Sequence, residues 1–256
     1  MNGLTKGNLP HFLIIGVQKG GTTSLYHYLT QHPNIASATE KEVHYFDYNF
    51  HKGIDWYRSH FPHCPNDKIT GEASPYYMFH PHAAKRIKAA IPSVKLIALL
   101  RNPVERTISS YKMMHRRKKE HLSFEQAMQE ETSRIRDELP KMLGDPNYFS
   151  KEHFYFSYLS RSVYADQLEP YFKRFPREQI LILKSEDLFT DPSTVYRKTL
   201  KFLNLPLWEP NHYDIMNKGK YKRDIPKETL NYLTEYFRPH NQRLYRMLGV
   251  DLGWDR

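Results

Sequence analysis

At 256 residues the chain is within reach of one large folded domain, and 39% hydrophobic with 26% charged residues excludes a disordered or fibrous class. No run approaches the roughly 18 apolar residues of a membrane span, and the single cysteine, Cys64, excludes an internal disulfide. Lys and Arg outnumber Asp and Glu by 38 to 28, a net +10 that points to an anionic ligand or partner.

These features lead us to expect one globular domain over 1–256, cytoplasmic and without a membrane span. The N-terminal residues lack the basic start and apolar run of a signal peptide, and no Asn-x-Ser/Thr acceptor occurs.

Residues 11–16, His-Phe-Leu-Ile-Ile-Gly, are an apolar run ended by glycine, which predicts a buried strand. A helix follows over 22–31, with Leu25, Tyr28 and Leu29 on one face and His32-Pro33 as its stop. Between them Gly16 and Gly21 have the spacing of a nucleotide-binding loop, G-x-x-x-x-G-K-[ST]. Thr22, however, stands at the lysine position, and the only lysine, Lys19, lies inside the loop. Backbone N–H groups of Lys19, Gly20, Gly21, Thr22, Thr23 and Ser24 would converge on an anion, helped by the helix dipole and three hydroxyls.

Further along, the pattern predicts a helix over 81–90, a buried strand over 94–100, and a helix from Val104 to about Met114 opened by Pro103. Ser123 with Gln126 has the spacing of a capping box at the start of a helix reaching about Glu138. Residues 139–158 are aromatic and turn-rich without a clear period, a surface or lid-like segment. A third strand, 179–183, lies between helices at 162–175 and 192–202. Alternating strands and helices predict an α/β fold, a parallel sheet flanked by helices on both faces.

The strand ending at Leu100 runs into Arg101, not into the aspartate that holds magnesium in P-loop hydrolases and kinases. Arg101, with Ser109 two helical turns on, makes a second phosphate site, so the ligand carries two separated anionic groups. A nucleotide phosphorylated on both its 5′ and 3′ sides meets that requirement, and PAPS (3′-phosphoadenosine 5′-phosphosulfate) is the common one. Two other classes stay open: a P-loop kinase-like enzyme using ATP and magnesium, and a non-catalytic polyanion-binding module. The basic run Arg116-Arg117-Lys118-Lys119 reads as a solvated helix face, with no nucleic-acid partner implied. His60, His63 and Cys64, and the pair His80 and His82, lack a partner cluster at zinc spacing, so no metal is expected.

The segments GVQKGGTTSL (16–25), EKEVHYFD (40–47), HKGIDWY (51–57), GEASPYY (71–77), LLRNPVERTISSY (99–111) and NKGK (217–220) together resemble the PAPS-dependent sulfotransferases. The resembling group contains heparan sulfate N- and 3-O-sulfotransferase domains and sulfotransferase domains of bacterial biosynthetic enzymes. The resemblance implies the P-loop-like sulfotransferase fold and PAPS as sulfuryl donor. It assigns the 5′-phosphosulfate to Lys19–Ser24, the 3′-phosphate to Arg101 and Ser109, and a cofactor-closing turn to Lys218, Gly219 and Lys220. Lysine replaces the family's arginine at 220 and supplies charge without a bidentate fork.

It also implies catalytic roles for Glu42, His44 and Lys19. Glu42 would be the general base toward an acceptor hydroxyl, and Lys19 would stabilise the leaving group. His44 is left with three roles: orienting Glu42, touching the acceptor, or taking the proton itself. If 42–44 is extended, the two side chains share a face, and Asp47 sits behind them. Glycan-sulfating relatives often carry lysine where Ala73 stands, so a small metabolite, a lipid, or a carrier-tethered hydroxyl in a bacterial cell is expected over a heparin-like glycan.

Overall fold

The computed structural model describes residues 7–63, 68–214, 216 and 225–255. In chain order its main elements are β1 (Phe12–Gly16), α1 (Thr22–Leu29), β2 (Ile35–Ser37), α2 (Ile54–Ser59), β3 (Ile69–Ala73), α3 (Ala83–Ala90) and β4 (Lys95–Leu100). There follow α4 (Pro103–Arg116), α5 (Phe124–Ile135), α6 (Glu138–Gly144), α7 (Lys151–Tyr155), α8 (Tyr164–Phe172), β5 (Ile180–Lys184), α9 (Ser185–Thr190), α10 (Pro192–Leu203) and α11 (Lys227–Leu248). Among the described residues, no helix is long and apolar enough to cross a membrane.

The chain divides into two compact units, one of residues 1–100 and 172–217, the other of residues 101–171 and 218–256. The first holds the five-stranded sheet, ordered β2-β3-β1-β4-β5 with every pairing parallel. Alternate residues of a strand face opposite sides. Phe12 and Ile14 accordingly pack with Leu25, Tyr28 and Leu29 of α1 and with Tyr196 and Leu200 of α10, while Leu13 and Ile15, equally buried, face the other way. Burying each such side chain contributes roughly 1.5–3 kcal/mol, and a strand covered on both faces reads as the continuous apolar run seen at 12–15.

In the second unit α4, α5 and α11 bury Tyr111, Met114, Phe124, Met128, Leu233 and Phe237 together. Pro103 opens α4 as expected, with the Asn102 side chain accepting hydrogen bonds from the N–H groups of Val104 and Glu105. The capping box of α5 is present in full, Ser123 and Gln126 serving each other's backbone.

Four differences from expectation have physical causes. The helix begun at Phe124 stops at Ile135 rather than 138, and a separate helix starts at Glu138. Segment 139–158 is not irregular: it carries most of α6 and all of α7, helices too short to show a period. Strand β3, Ile-Thr-Gly-Glu-Ala, has a carboxylate in the middle of a buried strand and so shows no apolar run. Helix α11 buries Leu233, Phe237, Asn241 and Leu244 at helical spacing, a pattern interrupted in the sequence by Pro239.

Candidate active site

Crevices at the carboxyl ends of parallel strands, where the chain crosses from one side of a starting strand to the other, are the usual ligand sites of open α/β sheets. Here that strand is β1, flanked by β3 and β4. The loop after β1 is fixed by hydrogen bonds from Val17 N–H to the Leu99 carbonyl (3.0 Å), Gly20 N–H to the Val17 carbonyl (2.9 Å) and the Ser185 hydroxyl to the Gly20 carbonyl (2.7 Å). Lys19 adopts the left-handed region at φ 72°, and Gly21, at φ 93°, precedes α1. A β-carbon on Gly20 would lie 2.6 Å from the Leu99 carbonyl oxygen, so only glycine fits there.

No side chain caps α1, unlike α4 and α5. Its first-turn N–H groups have no partners within the helix itself and converge at a positive dipole end, a donor set suited to an anion. Thr22 and Ser24 are buried and Thr23 half-buried. Ser24 already accepts a hydrogen bond from Met216 N–H (2.9 Å), and the Tyr28 hydroxyl donates to the Asp214 carbonyl (2.9 Å). Asp214 and Met216 are thereby tied to α1; Lys218, Gly219 and Lys220 themselves lie outside the described residues.

Beside β3, where Ala73 N–H donates to the Lys41 carbonyl (3.0 Å), the following segment brings Glu42 and His44 together, with His44 Nε2 3.3 Å from Glu42 Oε2. They do not share the face of a strand: the segment is not β, and His44 sits at φ 55°. The His44 ring also donates through Nδ1 to Asp47 Oδ2 at 2.6 Å, and Asp47 is fully buried. Burial alone would lower the His44 pKa, but Asp47 and Glu42 outweigh it and raise it to about 9. Burial pushes the Glu42 carboxyl up, and the hydrogen bond from His44 with the Lys41 ammonium overcomes this and brings it down to about 2. At neutral pH the site therefore holds an imidazolium between two carboxylates. Glu42, with 44% of its side chain exposed, is the member open to solvent.

Two groups that sequence reasoning did not assign hold this segment. Arg86 of α3 donates to the carbonyls of Phe46 (3.0 Å) and Asp47 (2.6 Å) with its guanidinium over the Phe50 ring. Glu72 of β3 is fully buried and accepts from Val43 N–H (3.1 Å), Tyr57 hydroxyl (2.6 Å), Ser74 hydroxyl (2.6 Å) and Tyr77 hydroxyl (2.8 Å). The signal available in the sequence was a glutamate inside a short run of otherwise small and apolar residues.

Arg101 and Ser109 lie in the second unit, Arg101 just ahead of the Asn102 cap and Ser109 buried on α4. Within that unit the Tyr164 hydroxyl donates to the Arg101 carbonyl (2.7 Å), and the Arg101 guanidinium is 3.5 Å from Glu105.

A parallel sheet with a glycine loop feeding an uncapped helix defines an α/β protein whose loop donors are of the kind that suit an anion. Residues 9–244 match the family model described as "Sulfotransferase domain". Membrane-associated sulfotransferase kil1 of Dictyostelium discoideum is 32% identical over 321 residues, covering 96% of this chain and 66% of that protein. Heparan sulfate glucosamine 3-O-sulfotransferase 3B1 of Mus musculus is 32% identical over 277 residues, covering 99% of this chain and 67% of that protein. The crystal structure of a sulfotransferase from Alicyclobacillus acidocaldarius superposes with a TM-score of 0.81 at 30% identity, covering 97% of this chain and 100% of that one. The chain thus spans about two thirds of the length of these two curated relatives. It belongs to the sulfotransferase family, and the fold expected from the sequence is the one found. Family and relatives support sulfuryl transfer as its chemistry.

Proposed function

We propose that the chain, as one sulfotransferase domain, transfers a sulfuryl group from PAPS to an acceptor hydroxyl, with Glu42 as the general base. The observation that carries this reading is the commitment of both His44 ring nitrogens, Nδ1 to Asp47 and Nε2 to Glu42. A protonated ring so placed has no lone pair for a substrate proton, so the open carboxylate of Glu42 takes it. His44 orients Glu42, and Asp47 fixes the ring orientation and charge of His44.

The residues present fit the donor: an uncapped helix start, an in-loop lysine and glycines that no β-carbon could replace suit a phosphosulfate. When bound, PAPS supplies an activated sulfuryl group on a phosphate leaving group. Lys19 places positive charge where negative charge builds on that leaving group. Arg101 and Ser109 take the 3′-phosphate, and Lys218, Gly219 and Lys220 close over the nucleotide, the roles the family resemblance implies. The acceptor is a hydroxyl on a small metabolite, a lipid, a carrier-tethered acyl chain or a glycan; Ala73 in place of lysine favours the first three. A bacterial cytoplasm is the proposed setting.

The test is sulfuryl transfer from labelled PAPS to a broad panel of hydroxyl and amine acceptors, in wild type and Glu42→Gln. Turnover should fall about 10²–10⁴-fold in the variant, the usual worth of a general base, while affinity for the product 3′-phosphoadenosine 5′-phosphate stays unchanged. Equal turnover in the two proteins would remove Glu42 from the role. In thermal melts that product at a hundredfold its Kd should add about 2.7 kcal/mol, an effect abolished by Arg101→Ala. Stabilisation only by ATP with magnesium would return the chain to kinase-like chemistry.

A further inference from the structure

Strand β3 carries a glutamate at a place where burial is complete, and the four groups that satisfy it are two tyrosyl hydroxyls, a seryl hydroxyl and a backbone N–H, none of them a cation. Burying a carboxylate without a counter-charge is costly, so packing alone is a poor reason for it. Its connections supply another. Val43 N–H binds Glu72 directly. His44 N–H donates to the Ser74 hydroxyl (3.1 Å), which donates onward to Glu72. Tyr45 N–H donates to the Tyr77 hydroxyl (2.8 Å), which does the same. Three consecutive backbone N–H groups are thus tied to one carboxylate, directly or through a single hydroxyl.

The middle one belongs to His44, whose φ of 55° is disfavoured for any residue with a β-carbon and persists only where neighbours over-determine it. That conformation sets the ring between Asp47 and Glu42.

Resting on the sulfotransferase reading above, we propose that Glu72 is a positioning residue: with Ser74 and Tyr77 as relays, it clamps residues 43–45 and so aims His44 at Glu42. Tyr57 provides the internal control. Its hydroxyl binds the same carboxylate yet touches none of residues 43–45 through it, and phenylalanine would keep the ring that stacks on Tyr45.

Wild type, Ser74→Ala, Glu72→Gln and Tyr57→Phe would be compared as full chains by kcat, KM for PAPS, and NMR titration of the His44 ring. Ser74→Ala and Glu72→Gln should lower kcat about tenfold to a hundredfold with KM for PAPS unchanged, the cost of a misaimed catalytic group. Their His44 midpoint should fall from about 9 toward 6.5 as the ring leaves its carboxylates. Tyr57→Phe should lose stability alone, leaving kcat and the His44 midpoint as in wild type. If Ser74→Ala keeps the wild-type kcat and midpoint, the clamp is refuted, whether or not Glu72→Gln folds. If wild type itself transfers no sulfuryl group, the functional reading falls while the His44 titration still decides the clamp.

Discussion

Two histidines, His44 beside β3 in the first unit and His153 on α7 in the second, are buried to a similar degree, 7% and 5% exposed, and yet they are driven to opposite charge states. Burial lowers the pKa of both. His44 has a carboxylate on each ring nitrogen and is raised to about 9; His153 has the Arg161 guanidinium nearby and is lowered to about 3. At similar depth the neighbours decide whether burial prevails, as it does for His153, or is overcome, as it is for His44. The comparison also bears on the proposed roles: a histidine held charged at φ 55° against a half-open carboxylate is the one the proposed mechanism uses. A neutral histidine inside a short helix whose carbonyl accepts from Ser157 belongs to packing.

The largest expected contrast is in turnover. His44→Ala should reduce kcat by roughly 10²-fold or more, since it removes the group that orients the base. His153→Ala should leave kcat within about twofold while destabilising the fold by about 1–3 kcal/mol, the ordinary cost of a buried truncation. Steady-state kinetics beside chemical denaturation of each variant reads both quantities. A kcat loss in His153→Ala equal to that in His44→Ala would erase the distinction.

Stability against pH sharpens it, because the two groups tilt the curve in opposite directions. His44 is raised in the folded state, so its contribution is complete below 6.5 and is lost as pH climbs through about 9. On the scale of about 1.4 kcal/mol per unit, that loss is on the order of 3 kcal/mol. His153 is lowered, so the unfolded chain binds the proton first and stability is lost as pH falls from 6.5 toward about 3. Glu42 adds to the same acid side, its contribution fading as pH drops from 4.5 through about 2. Urea midpoints of wild type from pH 3 to 10 should therefore peak near 6.5. His44→Ala should flatten the alkaline side and, by letting the Glu42 carboxyl rise toward 4.5, soften part of the acid side as well, whereas His153→Ala should soften the acid side only.

How much of this could be read in the sequence differed between the same two regions. The loop at 16–24, its helix and strands β1, β4 and β5 were legible because apolar runs, glycines and spacing encode them locally. Glu42 and His44 were legible as residue types in a motif, but their geometry was not. An extended segment would have placed them side by side, whereas the structure achieves the meeting with a left-handed His44 tied to Ser74 just past β3. Strand β3 was hidden by the same Glu72 that does the tying, so the sheet order could not be completed without it. In the second unit, α6 and α7 are too short for a period to emerge, and the environment of His153 depends on Arg161 in a different helical turn. Long-range partners, not local propensity, carry what was missed.

The smallest expected effect concerns Lys41, which pairs with Glu42 while 23% of its own side chain is exposed. Lys41→Met would remove one of the two influences that hold Glu42 low and leave the hydrogen bond from His44 in place. Stability should change by less than about 1 kcal/mol, as for most exposed ion pairs. The Glu42 pKa should rise from about 2 toward 4.5, so the acid limb of the kcat/KM profile moves to higher pH. A base with a higher pKa is a better proton acceptor, so turnover at neutral pH should hold or rise slightly. An acid limb that stays in place would assign control of Glu42 to His44 alone and sharpen the contrast with His153. A fall in turnover at neutral pH would instead show the Lys41 ammonium acting on the acceptor or the leaving group, placing a second cation beside Lys19 in the reaction itself.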